Sequence, residues 1–166
     1  LAMVKEVEQL TINPADYACE ITKTGKRDNS VENDRIHRQK QEGLYYVEYH
    51  PAGGDANVEH LLVALDYAVT LDQVEARIAP DQALFFINLT ADEARKIAEL
   101  TDDSAENDFR RSVSCVGSTV CQIGMQDSNG LLKDIFEHLE EKGVDTSKLP
   151  RLHISGCPHS CGTHQI

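Results

Sequence analysis

Four of the five cysteines stand in two tight pairs, Cys115 with Cys121 and Cys157 with Cys161, with five residues inside the first pair and three inside the second. Thiolates are soft ligands and select iron–sulfur clusters, zinc or cuprous ions over magnesium or calcium. A cluster needs ligands from at least two loops, so the fold has to bring both pairs together. Short spacing within each pair lets backbone amides point at the sulfurs, and Gly117, Gly156 and Gly162 permit close backbone approach. Pro158 stiffens the second loop.

Five cysteines is an odd number, and they cluster late in a chain that is 40% hydrophobic, enough to fill a core. A secreted disulfide framework uses an even set in a core-poor fold, so a metal site in a reducing compartment is the better reading. Cys19 lies apart and reads as an inert thiol. The five-residue gap between Cys115 and Cys121 is too long for the usual zinc spacing, although His153, His159 and His164 keep a structural zinc domain as an alternative.

With 28 acidic against 16 basic residues the formal net charge is −12, which repels phosphate backbones and anionic lipids and argues against nucleic-acid or membrane binding. No run approaches the roughly 18 apolar residues needed to cross a bilayer, and no signal segment opens the chain, so a cytoplasmic setting is expected.

Hydrophobic periodicity divides the chain into three. Residues 1–43 are polar and read as an N-terminal arm or linker, with one short strand near 17–22. Residues 44–105 read as strand, helix, strand, strand, helix: a strand at 44–50 ending at Pro51-Ala52-Gly53-Gly54, a helix capped by Asp55 or Asn57, a hairpin joined through Pro80-Asp81-Gln82, and a helix opened by the capping-box spacing of residues 90–93. In the first helix Val58, Leu61, Leu62, Leu65, Ala68 and Val69 form the expected buried stripe. Residues 106–166 carry a short strand at 111–115, a helix over 129–142 with Leu131, Leu132, Ile135, Phe136 and Leu139 on one face, Gly143 as its stop, and a strand at 151–155 running into the second cysteine pair. The expected class is α+β, an antiparallel sheet covered on one side followed by a cysteine-bearing unit. His50 reads as a surface histidine at a strand end, and Tyr45, Tyr46 and Tyr49 as a packed strand.

Ser114-Cys115-Val116-Gly117-Ser118-Thr119-Val120-Cys121, followed by Leu152-His153-Ile154-Ser155-Gly156-Cys157-Pro158-His159-Ser160-Cys161-Gly162, resembles the siroheme and iron–sulfur signature of assimilatory-type nitrite and sulfite reductases. The likeness is specific over the last 60 or so residues and extends back to about Leu44 through Ala76-Arg77-Ile78-Ala79-Pro80-Asp81-Gln82. It implies a ferredoxin-like half domain followed by the start of an α/β cluster- and siroheme-binding domain. It also implies that Cys115, Cys121, Cys157 and Cys161 bind a [4Fe-4S] cluster, with Cys161 bridging to the siroheme iron as its axial ligand. The implied reaction is six-electron reduction of sulfite to sulfide or of nitrite to ammonia, with electrons from a ferredoxin or a reductase subunit.

The same resemblance assigns the chain to the second half of such an enzyme. Its ending at Ile166, five residues past Cys161, reads as a truncation. In this family the basic wall around the anion comes largely from the first half, which accounts for the acidic balance here and makes that missing N-terminal half an expected partner; it would also have to supply the docking contact for an acidic ferredoxin. Arg77, Gln82, Arg110 and Arg111 are candidates for the siroheme carboxylates. His159 stands where relatives usually carry Asn, and remains a cofactor-side hydrogen-bond candidate. A stand-alone iron–sulfur electron-transfer module is the competing reading.

Overall fold

The computed structural model describes residues 20–31 and 33–163. Cys19, His164 and residues 17–19 of the expected first strand lie outside them, and residues 20–22 carry no strand.

Strands β1 (Ile36–Arg38), β2 (Tyr45–Tyr49), β3 (Glu75–Ile78) and β4 (Leu84–Leu89) form an antiparallel sheet in the order β1-β2-β4-β3. Alternation along β2 turns Tyr45, Val47 and Tyr49 into the core and leaves Tyr46 and Glu48 half-buried. Helices α1 (Val58–Val69) and α2 (Ala91–Leu100) cover that inner face, so that Phe86 and Leu89 of β4 meet Ala64, Ala68, Ala94, Ile97 and Ala98. The β2–β4 ladder carries a bulge, and Asn88, fully buried at φ 64°, occupies it. Its amide donates to the Gln73 carbonyl at 2.9 Å, and Gln39 satisfies its backbone N–H at 2.6 Å.

Two sequence expectations are corrected here. The polar arm contributes β1, a three-residue edge strand too short and too polar to announce itself. Polar contacts also stitch this segment down: Lys23 meets Glu93 at 2.7 Å, and Arg35 donates to the carbonyls of Ala98 and Thr101 at the end of α2. In α1 the buried line runs through Leu61, Ala64, Leu65 and Ala68, while Val58, Leu62 and Val69 are exposed. Alanines let the helix axis approach the sheet closely, which turns the bulkier residues outward. Asn57, not Asp55, caps this helix, accepting from the amides of Glu59 and His60.

A second, smaller core sits around α3 (Ser128–Glu141), where Phe109, Leu132 and Phe136 pack with Ala52, Ile135, Leu139, Leu152 and Ile154. Leu131, assigned to the same stripe by periodicity, is half exposed. Strands β5 (Val113–Ser114) and β6 (His153–Ile154) pair in parallel, with Val113 opposite His153 and Ser114 opposite Ile154. Parallel strands require a crossover, and α3 supplies it. Gly143, at φ 63°, ends the helix.

The two cores meet through the 3₁₀ turn Ala52–Gly54. The Gly53 amide donates to the Arg110 carbonyl at 3.0 Å, and the Ala105 amide to the His50 carbonyl at 2.7 Å. His50 corrects the surface reading: it is fully buried, with Nδ1 3.2 Å from the Pro51 carbonyl oxygen and Nε2 without a partner. Among the described residues no helix is long and apolar enough to cross a membrane.

Candidate metal centre

In a parallel pair both strands end at the same edge, so the loops that follow them emerge side by side. Cys115 directly follows β5, and its amide donates to the Ile154 carbonyl of β6 at 3.0 Å. The second loop follows β6, with Cys157 as its third residue. Between them the first loop folds back: the Cys121 amide donates to the Gly117 carbonyl at 2.9 Å, and the amides of Met125 and Gln126 reach the Gly156 carbonyl at 3.0 and 3.1 Å. The second loop is braced by the Ser155 hydroxyl, which accepts from the Gly162 amide at 2.8 Å, and by His153 Nδ1, 2.9 Å from the Gly162 carbonyl oxygen. Ser160, between the last two cysteines, takes a left-handed φ of 59°.

The result is a predominantly apolar cleft of about 250 Å³ with Cys115, Cys121, Cys157, Cys161, His159 and Gln82 in its lining. All four thiols are free; three are half-buried and Cys161 is exposed. A larger cleft of about 630 Å³, beside Asn33, Arg35, Glu106 and Arg111, contains none of them.

The environment of Cys115 eases ionisation of its thiol. Burial pushes the thiol up, but a hydrogen bond with the Ser128 hydroxyl and those from the Gly156 and Gly117 amides outweigh it and leave the group below its ordinary value. Ser128 Oγ is 2.9 Å from Cys115 Sγ, and the Gly156 amide donates to the same sulfur at 3.2 Å. The positive end of α3, capped by Asp127, adds to the effect.

Donor spacing separates one ion from a larger inorganic core. Four thiolates at about 2.3 Å from one zinc lie about 3.8 Å from each other. Among the described residues no three thiols fall within 4.8 Å of one another; the group that meets this limit is His60, Asp102 and Asp103.

The ferredoxin–nitrite reductase of Synechococcus elongatus is 32% identical over 136 residues, which cover 79% of this chain and 26% of that protein. The chain belongs with the nitrite and sulfite reductases. The birch (Betula pendula) chloroplastic ferredoxin–nitrite reductase is 26% identical over 140 residues, and the sulfite reductase [NADPH] hemoprotein beta-component of Bacillus licheniformis is 28% identical over 103, covering 55% of this chain and 18% of that protein. The solved structure of the Mycobacterium tuberculosis NirA protein superposes with a TM-score of 0.57 over 79% of this chain and 26% of that one, at 22% identity, and shares the fold. No family model matches. The chain spans about a quarter of the length of the nitrite reductases it resembles.

Of the residues the sequence singled out, the family fold brings the four cysteines, His159 and Gln82 to one cleft. Gln82, at φ 65°, donates its side-chain amide to the Ser114 carbonyl at 2.8 Å, which fixes the strand end before Cys115. The three arginines do not line this cleft. Arg77 is exposed and forks onto Glu75 at 2.9 and 3.0 Å. Arg110 lies over the Phe136 ring, 4.9 Å from its centre, and reaches Glu140 at 3.2 Å. Arg111 faces Glu48 at 3.8 Å and Asp108 at 3.9 Å. Sequence reasoning passed over Ser128, Ser155 and Ile123. Nothing in the sequence distinguishes Ser128 from an ordinary helix-start serine, because its role depends on the crossover that folds α3 back against β5.

Proposed function

We propose that this chain is the cluster-binding portion of a siroheme-type nitrite or sulfite reductase, in which Cys115, Cys121, Cys157 and Cys161 hold a [4Fe-4S] cluster. The observation that carries the reading is the convergence of two cysteine loops, from adjacent parallel strands, on one apolar cleft that all four thiols line. The cluster and siroheme together would supply six-electron reduction of sulfite to sulfide or of nitrite to ammonia, with electrons from a ferredoxin or a reductase subunit.

The chain's own residues hold and shield. Cys115, Cys121, Cys157 and Cys161 would hold the cluster, and Cys161, the exposed one of the four, would be the thiolate shared with siroheme. Val116 and Ile123 keep the lining apolar, which shapes the potential of whatever the thiolates hold. His159 and Gln82 are the polar groups available at the rim. Arg77, Arg110 and Arg111 face carboxylates away from the cleft and remain candidates for the siroheme carboxylates only. With its acidic balance this chain offers no cationic wall for an anion, so the substrate contacts belong to the remainder of the parent enzyme. A reducing compartment such as the cytoplasm suits thiolate ligation.

Anaerobic reconstitution of the chain with iron and sulfide tests this. About four irons and four sulfides per chain are expected, with iron lost in Cys157→Ser and sulfite and nitrite left unreduced by the chain alone. Uptake of one zinc in place of iron, or turnover by the isolated chain, overturns the reading.

A further inference from the structure

Resting on the metal-centre reading above, we propose that the Ser128 hydroxyl sets the reduction potential of the centre by donating a hydrogen bond to the Cys115 thiolate. Ser128 opens α3 and is 1% exposed. Its Oγ stands 2.9 Å from Cys115 Sγ and 2.9 Å from the Cys115 carbonyl oxygen, so its single hydroxyl proton has two acceptors to choose between. With a protonated thiol, the hydroxyl donates to the carbonyl and the S–H donates to Oγ. Once the sulfur is a metal-bound thiolate its proton is gone, and the charged acceptor at the same distance outcompetes the neutral carbonyl. The switch is a hydroxyl rotation; no covalent bond forms or breaks and no proton leaves the serine.

The surroundings keep the hydroxyl in place. A Cβ at Gly117 would stand 3.0 Å from Ser128 Oγ, and one at Gly156 would stand 3.4 Å from it, so two glycines of the cysteine loops leave the room the hydroxyl occupies. The Gly156 amide approaches the same sulfur from the other loop at 3.2 Å, so Cys115 has a donor from each side of the crossover. Adding one electron to the centre increases the negative charge on its sulfurs and strengthens every hydrogen bond to them. A donor at Cys115 therefore stabilises the reduced state and raises the potential. Ser128 is on this account a positioning and tuning residue, acting through Cys115 and not on substrate.

Potentiometric titration of the reconstituted chain, monitored by electron paramagnetic resonance and paired with iron analysis, tests the assignment. Ser128→Ala is expected to load iron at the wild-type level and show a lower midpoint potential, and Ser128→Thr, which keeps the hydroxyl, to restore the wild-type value. Wild-type iron content with an unchanged or raised midpoint in Ser128→Ala overturns the inference while leaving the metal-centre reading intact; absence of iron from the wild-type chain defeats that reading itself. A measurement that needs no variant covers the case in which Ser128→Ala fails to fold. Proton hyperfine couplings of the reduced wild-type centre should lose one rapidly exchanging component on brief transfer to D2O, and retention of all couplings until slow amide exchange overturns the proposal.

Discussion

His50 shows how much a single side chain reveals about the junction between the two cores. Its ring is fully buried, its Nδ1 faces the Pro51 carbonyl, and Asp81, Arg151 and Arg111 are the charged groups that act on it. Burial is the largest influence and favours the neutral ring, the Pro51 carbonyl and Asp81 oppose it, and the folded value lies below the ordinary 6.5. Falling pH therefore protonates the unfolded chain before the folded one. The stabilisation is fully present above about pH 6.5 and is lost progressively as the pH drops below it. Urea unfolding should show a midpoint that decreases from about pH 7.5 to about pH 5.5, with a shallower decrease in His50→Gln. Equal slopes in the two proteins would remove His50 from the account.

Among the elements, the 3₁₀ turn after β2 depends on a left-handed backbone. Gly53 holds φ at 63°, and a Cβ there would meet Phe136 at 3.1 Å and Leu132 at 3.3 Å. Gly53→Ala is expected to cost about 1–2 kcal/mol in chemical denaturation from the left-handed backbone alone, and more if Phe136 cannot yield. Most elements were legible in the sequence, because periods of two and of three to four residues survive folding: β2, the β3–β4 hairpin, α2 and α3 fall where their patterns put them. Periodicity failed where it carried too little information. Three residues, Ile36, His37 and Arg38, cannot display an alternation, so β1 is defined only by its register against β2. In α1 the apolar residues wrap too far round the helix to mark one face, and the alanines decided which side meets the sheet. The cysteine spacing is visible in one dimension, whereas the partners of Cys115 are not: Ser128 and Gly156 reach it only because β5 and β6 run parallel.

Over the whole molecule, apolar surface is divided unequally between what is packed and what is displayed. Val116, Val120, Ile123 and Met125, on the first cysteine loop and just beyond it, are all more than half exposed, while Phe109, Leu132 and Phe136 close the core beneath. Phe136→Ala is expected to cost about 3–5 kcal/mol by leaving a cavity. Serine at Val120 or Met125 should change stability by no more than about 0.5 kcal/mol, since neither side chain packs into the interior. Denaturant midpoints of the three variants check the contrast, and a large loss at Val120 would mean that this loop is packed down in solution.

Parallel pairing of β5 with β6 also dictates an order of events during synthesis. The first two thiols leave the ribosome ahead of the whole of α3, and the strand that aligns them with the other two is made last. Until that strand docks, a nascent chain presents Cys115 and Cys121 without the second pair. Any centre that needs all four thiols is thereby deferred until translation has passed Cys161, and a chain interrupted before Cys157 has two of them.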